Sequence, residues 1–597
     1  MKKTFLWSLL ATVAVLFACT KPDVEPEPDT YEATINLVTS AVDLDADEGS
    51  TSNLVFSCDH QWSLEIPEEA QAWLSADKTS GKSGKTIRIA LTGKANPEGT
   101  VRSVTCRIIS GAKKKKFTVN QAAAVLILTA ADVPDLDKYY KPQEFDFDMF
   151  RSDSKWSWCR SKQSEHFVVF WDKKYGQYGL FGERMGVENT WPTSCKTSSM
   201  AVDIDDLLAK AEEFYQLNVN KLKFADTGKG LSVLDKHKME IYLIYQSEWL
   251  ATGSGYDNVI GALWVNPSTC KPVGSTIGHE IGHCFQYMVF CDYLVRQGIS
   301  EDKAPSVNTN QGPGWRYGFG ASGSGGNCFW EQTAQWQSMQ IQKYRAEAFS
   351  GWYWDYISST FLHVIHERPR YAAYFIHWWW VEEQGKDISF IGRLWNEANY
   401  PEDPVETYMR MTGKDVAAMN DSMYGYASHM VTFDTDEIRS YGKGHEGEMA
   451  ISAGNISQTD GWWNITASLS PETTGYNVIQ MNATAGAEVS VTLSNNLGIS
   501  GCVSGPGNIA GWRFGFVSLN KDNTRTYSPT WSATDTAQSW TVPSNASKVW
   551  FVVTGAPTKY ERHAWGAGGS DHEGEGDSKD TKWPWKAQFE NIKPYGK

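Results

Sequence analysis

The chain has no apolar run long enough to span a bilayer, no closely spaced cysteine pair, no surplus of positive charge and few histidines. Its longest apolar run, Phe5 to Ala18, falls short of the roughly 20 residues that a spanning helix needs. None of the ten cysteines stands in a CxxC or other ligand-like spacing, which removes zinc ribbons and dithiol redox motifs. Apart from Cys19, nine cysteines remain, at 58, 106, 159, 195, 270, 284, 291, 328 and 502. An odd number leaves at least one unpaired, and the partners of any bridged ones stay open. The net charge of −15 and isoelectric point near 5.4 argue against nucleic acid or an anionic membrane surface as partner, since neither attracts an acidic protein. With only 12 histidines in 597 residues, any histidine pair at ligand spacing stands out.

Aromatic residues, by contrast, are plentiful, with 27 Trp, 26 Tyr and 25 Phe. They serve cores, and where exposed they stack on sugar rings, so glycan contact is an open expectation. The front end reads as an export signal: Lys2 and Lys3, the apolar run, then Leu16-Phe17-Ala18-Cys19. That ending resembles a bacterial lipoprotein signal, which implies removal of residues 1–18 and lipidation of Cys19. Residues 19–33 are acidic and proline-rich, an extended tether without a core. An acidic stretch behind a lipidated cysteine resembles the surface-export signal of Bacteroidetes lipoproteins, implying an outer-membrane, lipid-anchored location at the cell surface. A plain secretory signal with a chance cysteine is the alternative.

The central feature is His279-Glu280-Ile281-Gly282-His283. On a helix the two imidazoles project from one face and can share one metal ion, with Glu280 beside them as a base. Composition alone yields HExxH in about one or two of a hundred such chains. Ser275 and Thr276 are candidate caps, and Ile277, Ile281, Cys284, Phe285 and Met288 form an apolar stripe. The bland alternative is a core helix with two hydrogen-bonded histidines, which leaves buried polar groups hard to satisfy. A catalytic zinc wants a third protein ligand and an open position. A metzincin would need Gly at 286 and His at 289, where the chain has Gln286 and Val289. Trp330-Glu331-Gln332-Thr333-Ala334 resembles the Glu-x-x-Ala segment of gluzincins, which implies Glu331 as third ligand, with Glu347 and Glu367 in reserve. His363-Val-Ile-His366-Glu367 fails the inverted HxxEH motif in spacing and order. His363, His366 and His377 therefore read as structural members of an aromatic helical layer. One of them, or Tyr353, is a candidate donor to an oxyanion. His166, alone on a strand, also reads as structural.

Around this centre the chain divides by its periodicity. Residues 34–122 hold short strands separated by turn residues, the pattern of a β-sandwich. Trp62, Trp73-Leu74, Ser80-Gly81, Asn96, Arg102 and the closing FTVNQA resemble the BACON module, an Ig-like domain of Bacteroidetes proteins; the resemblance implies carbohydrate binding, and a spacer is the alternative. Residues 123–140 form a linker. Residues 141–445 alternate strands (SEHFVVFWD, KMEIYLIYQ, VIGALWVNP) with helices, the strand, loop, metal-helix order of zincin peptidases, in which an edge strand pairs with the substrate backbone. Residues 446–597 return to period two, a C-terminal sandwich of jelly-roll type. Its acidic run at 569–580 reads as a solvated loop, because it lacks the calcium spacing of an EF-hand. Residues 140–597 also resemble an uncharacterised family of secreted proteins with a gluzincin-like HExxH.

The expected fold class is thus multidomain: an N-terminal Ig-like β-sandwich, a central α+β zincin-like catalytic domain and a C-terminal β-sandwich. The expected function is a cell-surface zinc metallopeptidase acting on extracellular proteins or glycoproteins. His279, His283 and Glu331 are the expected Zn²⁺ ligands, Glu280 the base and Cys19 the lipid anchor. A non-enzymatic glycan-binding or adhesion protein with a structural or decayed site is the rival, and a glycosidase, which needs two carboxylates across a cleft, ranks third.

Overall fold

The structure is a computed structural model that describes residues 32–98, 101–175, 199–308, 312–314, 328–562 and 581–597. The export signal with Cys19, most of the tether, Cys195 and the acidic run 569–580 lie outside the described residues. Among these residues no helix is long and apolar enough to cross a membrane. Two compact units are present, Met1–Leu126 and Ile127–Lys597.

In the first unit, β1 (Ile35–Leu37), β2 (Ala41–Leu44), β3 (Thr51–Cys58), β4 (Trp62–Glu65), a helical turn α1 (Glu68–Gln71), β5 (Leu74–Ala76), β6 (Ser80–Gly81), β7 (Gly84–Gly93), β8 (Arg102–Ser110) and β9 (Lys113–Gln121) follow in order. They form one sheet β1-β3-β7-β5 and a second β2-β9-β8-β4-β6. Alternate residues such as Leu54, Phe56, Cys106, Ile108 and Val119 point into one shared core, as period-two patterning dictates. The residues that gave this stretch its familiar look hold it together. The Arg102 guanidinium lies 4.5 Å above the Trp73 ring and also donates to Gln121 Oε1. Asn96 Nδ2 donates to Ala122 O, and Trp62 Nε1 to Lys82 O.

The second unit is mixed α/β and then β. Strands β10 (Ser161–Gln163) and β11 (Phe167–Trp171) precede helix α2 (Ile204–Gln216); β12 (Met239–Leu243), β13 (Ala251–Tyr256) and β14 (Ile260–Val265) complete a sheet of order β10-β11-β12-β14-β13. β11, β12 and β14 run parallel, and β10 and β13 are antiparallel to their neighbours at the two edges. β11 and β12 are buried at every position, as parallel strands covered on both faces must be. Helices cover one face, and Phe145, Trp156 and Trp158 belong to the layer on the other.

The helices are α3 (Ser275–Arg296), α4 (Cys328–Ser338), α5 (Tyr353–Ser358), α6 (Phe375–Glu383), α7 (Ser389–Glu397), α8 (Pro404–Thr412) and α9 (Val416–Met430). Their starts follow local chemistry. Asp203 accepts the Asp206 N–H, while Asp403 and Glu406 form a capping box ahead of Pro404. The aromatic layer is only partly helical: residues 359–374, which carry His363 and His366, are turns, with Pro369 among them, a residue that opposes helix continuation.

The C-terminal strands form two five-stranded sheets. One contains Ile456–Thr459, Trp462–Ile465, Glu488–Asn495, Gln538–Thr541 and Trp585–Glu590; the other contains Tyr476–Asn482, Trp512–Asn520, Arg525–Tyr527, Ala546–Gly555 and Lys593–Pro594. In Ala546–Gly555, Val549, Phe551 and Val553 face the partner sheet, whereas Trp550 and Val552 join the core of the helical part. The strand is therefore apolar on both faces. The hydroxyls of Tyr356, Tyr426 and Tyr476 meet at 3.0 and 2.7 Å and tie α5, α9 and the sheet together.

Near the end of α3, Asp292 is buried, and its Oδ1 accepts from Ser232 Oγ and Val233 N. Burial pushes its carboxyl up to about 7. Because the unfolded carboxyl titrates near 3.9, the folded state holds the extra proton between about pH 4 and 7, and this group's contribution to stability is lost as pH rises through that window. Asp292→Asn keeps the Oδ1 acceptor and removes the titration. Denaturant melts across pH 4–8 should show the slope of stability against pH reduced by up to about 1.4 kcal/mol per unit; identical slopes would refute the assignment.

Candidate metal centre

Helix α3 is the axis of the second unit, with His279, Glu280 and His283 all buried. It starts at Ser275 behind Gly274, which makes no side-chain cap. Ser275 and Thr276 therefore do not cap the helix; they sit in its first turn and line the cavity beside it. The expected apolar stripe is present, with Ile277, Ile281, Cys284, Phe285 and Met288 all in the core. Two close approaches fix its position. A Cβ at Gly253 of β13 would lie 2.0 Å from Glu280 O and 2.8 Å from His283 Cβ. A Cβ at Gly282 would lie 2.9 Å from Gln337 Oε1 and 3.3 Å from Ala334 Cα on α4. Only glycine lets the strand and the second helix come this near.

α4 then delivers Glu331. His279 Nε2 and His283 Nε2 are 2.9 Å apart, and each is 3.1 Å from Glu331 Oε2. These side chains are the cluster able to hold a metal ion among the described residues. A triangle with those edges matches a face of the shell around an ion bonded at about 2.0–2.2 Å. Two imidazole nitrogens so close cannot both present lone pairs to each other unless a proton or cation lies between them.

Tautomers follow from the network behind. Gln286 Nε2 donates to Trp330 O and Gln337 Oε1 at 3.1 and 3.0 Å, which turns Gln286 Oε1 toward His283 Nδ1 at 2.9 Å. Nδ1 of His283 thus carries a hydrogen, and its Nε2 faces the cluster, where it presents a lone pair once a cation takes the place of the proton. Gln337 Nε2 continues to Asn218 Oδ1 at 2.7 Å, so α3, α4 and the turn after α2 are bonded in series. Tyr371 donates to Glu331 Oε1 at 3.0 Å and leaves Oε2 for the histidines. Burial favours the neutral form of His283, but the Glu331 carboxylate beside it outweighs burial and holds the imidazole up at about 9. Burial likewise opposes the Glu331 charge, and the two imidazoles hold that carboxyl well below the usual range. The cluster could hold one cation, and its two nitrogens and one oxygen are donors that a divalent transition ion accepts.

The cluster opens into a cavity of about 980 Å³ lined by β13, the first turns of α3, Glu280, Trp330, Tyr371 and the 347–352 segment. β13 is the sheet's edge, paired among the described strands with β14 alone.

The reserve carboxylates do other work. Glu347 lines the cavity outside the cluster. Glu367 Oε1 accepts the Cys328 N–H at 2.9 Å and so caps the helix that carries Glu331. His377 is bonded to Thr333 Oγ1, stacks between Phe329 and Trp336, and is kept neutral by burial, its imidazole held down at about 3. Tyr353 donates to Glu448, and neither it nor His363, His366 or His377 lines the cavity. His166 is bonded to Glu212 and stacked on Tyr215. All eight cysteines among the described residues are free thiols. Sequence reasoning missed Gln286, whose one signal was its place three residues beyond His283, and Tyr371 and β13, which had none.

Residues 131–596 match the family described as "Family of unknown function (DUF6055)". The chain belongs to DUF6055. That match takes in nearly all of the second unit, the C-terminal sheets included, so the cluster and the sandwich belong to one family unit. Residues 63–122 match BACON, described as "Putative binding domain, N-terminal". No curated protein matches the chain. Among solved structures, a Bacteroides ovatus GH5 xyloglucanase in complex with a XXXG heptasaccharide is 19% identical, over 19% of this chain and 23% of its own, with a TM-score of 0.14. The chain thus spans under a quarter of that enzyme's length. A protein from Bacteroides thetaiotaomicron solved by NMR is 16% identical over 18% of this chain and 97% of its own, with a TM-score of 0.11. A functionally unknown conserved protein from Bacillus anthracis is 9% identical over 70% and 79%, with a TM-score of 0.22.

The Gln286 network yields a test. Gln286→Met removes the acceptor that sets the His283 tautomer at little change in volume, so affinity for Zn²⁺ or Co²⁺ in chelator competition should fall about 10–100-fold. A fall under threefold in a folded variant would remove Gln286 from the site.

Proposed function

We propose that the second unit is a zinc-dependent peptidase of gluzincin-like design, acting on extracellular proteins or glycoproteins. The observation that carries this reading is the triangle of His279, His283 and Glu331, with Glu280 beside it, in a cavity bordered by an edge strand. His279 Nε2, His283 Nε2 and Glu331 Oε2 would hold the zinc. When bound there, zinc supplies a Lewis acid that polarises a carbonyl and lowers the pKa of water.

The rest is done by the chain. An extended substrate lies along β13 and pairs its backbone with the strand's open edge, which brings a peptide bond past Glu280. Glu280 takes a proton from the attacking water and passes it to the leaving amine. Tyr371 orients Glu331 by donating its one hydroxyl hydrogen to Oε1. A glycosidase would have to draw its two carboxylates from Glu280 and Glu347, the described cavity-lining carboxylates left once the histidines engage Glu331. The binding-protein reading is favoured by one observation, the tryptophans at the rim, and the same variant separates the two.

Glu280→Gln should keep its zinc, measured by metal analysis, while hydrolysis of a proteome-derived peptide library falls by at least about two orders of magnitude. His279→Ala and His283→Ala should lose the metal as well. Wild type with full zinc that cleaves no member of a diverse peptide and glycoprotein panel would sink the peptidase reading.

We further infer export and lipid anchoring through Cys19, supported by the residues around it. Cys19→Ser should move the protein from the membrane fraction to the soluble fraction; continued sedimentation with membranes would count against the anchor.

A further inference from the structure

The chain carries 27 tryptophans, and almost every described one is buried or half-buried. Three are largely exposed: Trp249 at 66%, Trp352 at 49% and Trp354 at 61%. Trp249 and Trp352 both line the cavity of the metal cluster, and Trp354 follows two residues on, in the first turn of α5. A folded protein leaves indole rings in water at a cost, so their gathering around one opening points to a ligand that covers them. Trp352 is built into the site. Its ring stacks on Tyr371 at 5.0 Å and 21°, and Tyr371 is bonded to Glu331. One face of the indole is thereby held against the cluster's own tyrosine while half the side chain remains open.

The charge of the lining narrows the ligand. Among the described residues that line the cavity there is no lysine or arginine, and beyond Glu280 and Glu331 the single carboxylate is Glu347. Phosphate, sulfate and uronate groups find no lysine or arginine among these described lining residues. Ser275, Thr276, Gln335 and Ser350 supply neutral donors and acceptors, as sugar hydroxyls and an acetamido group require. In the N-terminal unit no aromatic ring is exposed among the described residues: Phe56, Trp62 and Phe117 are buried, and the Arg102 guanidinium covers Trp73. The largely exposed tryptophans among the described residues line the cleft or lie two residues from it in the chain.

We propose that the cleft recognises a neutral sugar attached to its substrate, stacked on Trp352 with Trp249 as a second platform, so that the substrate class is a glycosylated peptide. This inference rests on the peptidase reading for the peptide portion alone; the sugar subsite stands on the rings and the uncharged lining.

The test uses threonine-containing peptides made with and without one O-linked N-acetylgalactosamine, on the zinc-loaded protein. Calorimetry on the Glu280→Gln variant should show the glycosylated member of a pair binding at least about tenfold tighter. That advantage should collapse in Glu280→Gln with Trp352→Ala and be largely restored by Trp352→Phe, which keeps a ring and controls for folding. In wild type, the ratio of kcat/KM for glycosylated over bare peptide should fall by the same factor on Trp352→Ala. Equal affinity for both peptides, or an advantage that survives removal of both Trp352 and Trp249, would overturn the proposal. A Trp352-dependent advantage in a wild type that hydrolyses nothing would uphold the sugar subsite and remove the peptidase. Cleavage of bare peptides with no effect of the sugar would do the reverse.

Discussion

The site depends on backbone lying against backbone. β13 rests on α3 so closely that one methyl group at Gly253 would collide with the carbonyl of Glu280. That contact sets the distance between the open edge of the sheet and the cluster. In the proposed peptidase, a cleft one side chain wider would set an extended peptide farther from Glu280. Gly282 does the same on the opposite side, bringing α4 near enough for Glu331 to meet both imidazoles.

Of the three ionisable groups held in this buried place, Glu331 and His283 are answered at every polar atom, while His279 Nδ1 has no hydrogen-bond partner. Glu331 is bonded through both oxygens, His283 through both nitrogens, and Gln286 and Gln337 carry the pattern to Asn218. Around this polar thread stands an aromatic wall in which His377 lies stacked between Phe329 and Trp336. Such a wall lowers the local dielectric and strengthens the pull of Glu331 on the histidines. The same surroundings explain why Glu367 sits at the start of α4: its carboxylate answers the helix's first amides and holds that end in place.

Much of this was legible in the sequence. HExxH places its ligands by helix geometry alone, and Glu331 followed from a short motif on a second helix; both are local patterns, and the structure brings those side chains together. The parallel strands and the C-terminal strands were visible because apolar runs and alternation are local too. The edge strand was not, since ATGSGY carries neither alternation nor an apolar run, and its glycines answer to a helix that follows later in the chain. Ser275 and Thr276 looked like caps because capping residues are recognised by type, yet the helix start is set by Gly274 and the packing behind it. Glu347 and Glu367 stood in reserve behind Glu331, which the Glu-x-x-Ala resemblance favoured, because a sequence does not show the direction that separates cluster, cavity wall and helix cap. The histidines at 363 and 366 lie in turns where a helix was expected, and the aromatic composition around them hid the break at Pro369.

The two-faced strand Ala546–Gly555 bears on how the protein comes into being. Trp550 and Val552 complete the core that α9 and the helices around the cluster share, so these helices lack part of their interior until more than 250 residues beyond His283 have been made. Contacts between such distant segments are slow to form, because the loop between them must be closed before any packing rewards it. A nascent chain therefore carries His279, His283 and Glu331 beside an incomplete core from the time they are made until Ala546–Gly555 follows. The surroundings of the cluster are complete only once that strand has packed, and a chain that ends before it lacks that part of the core.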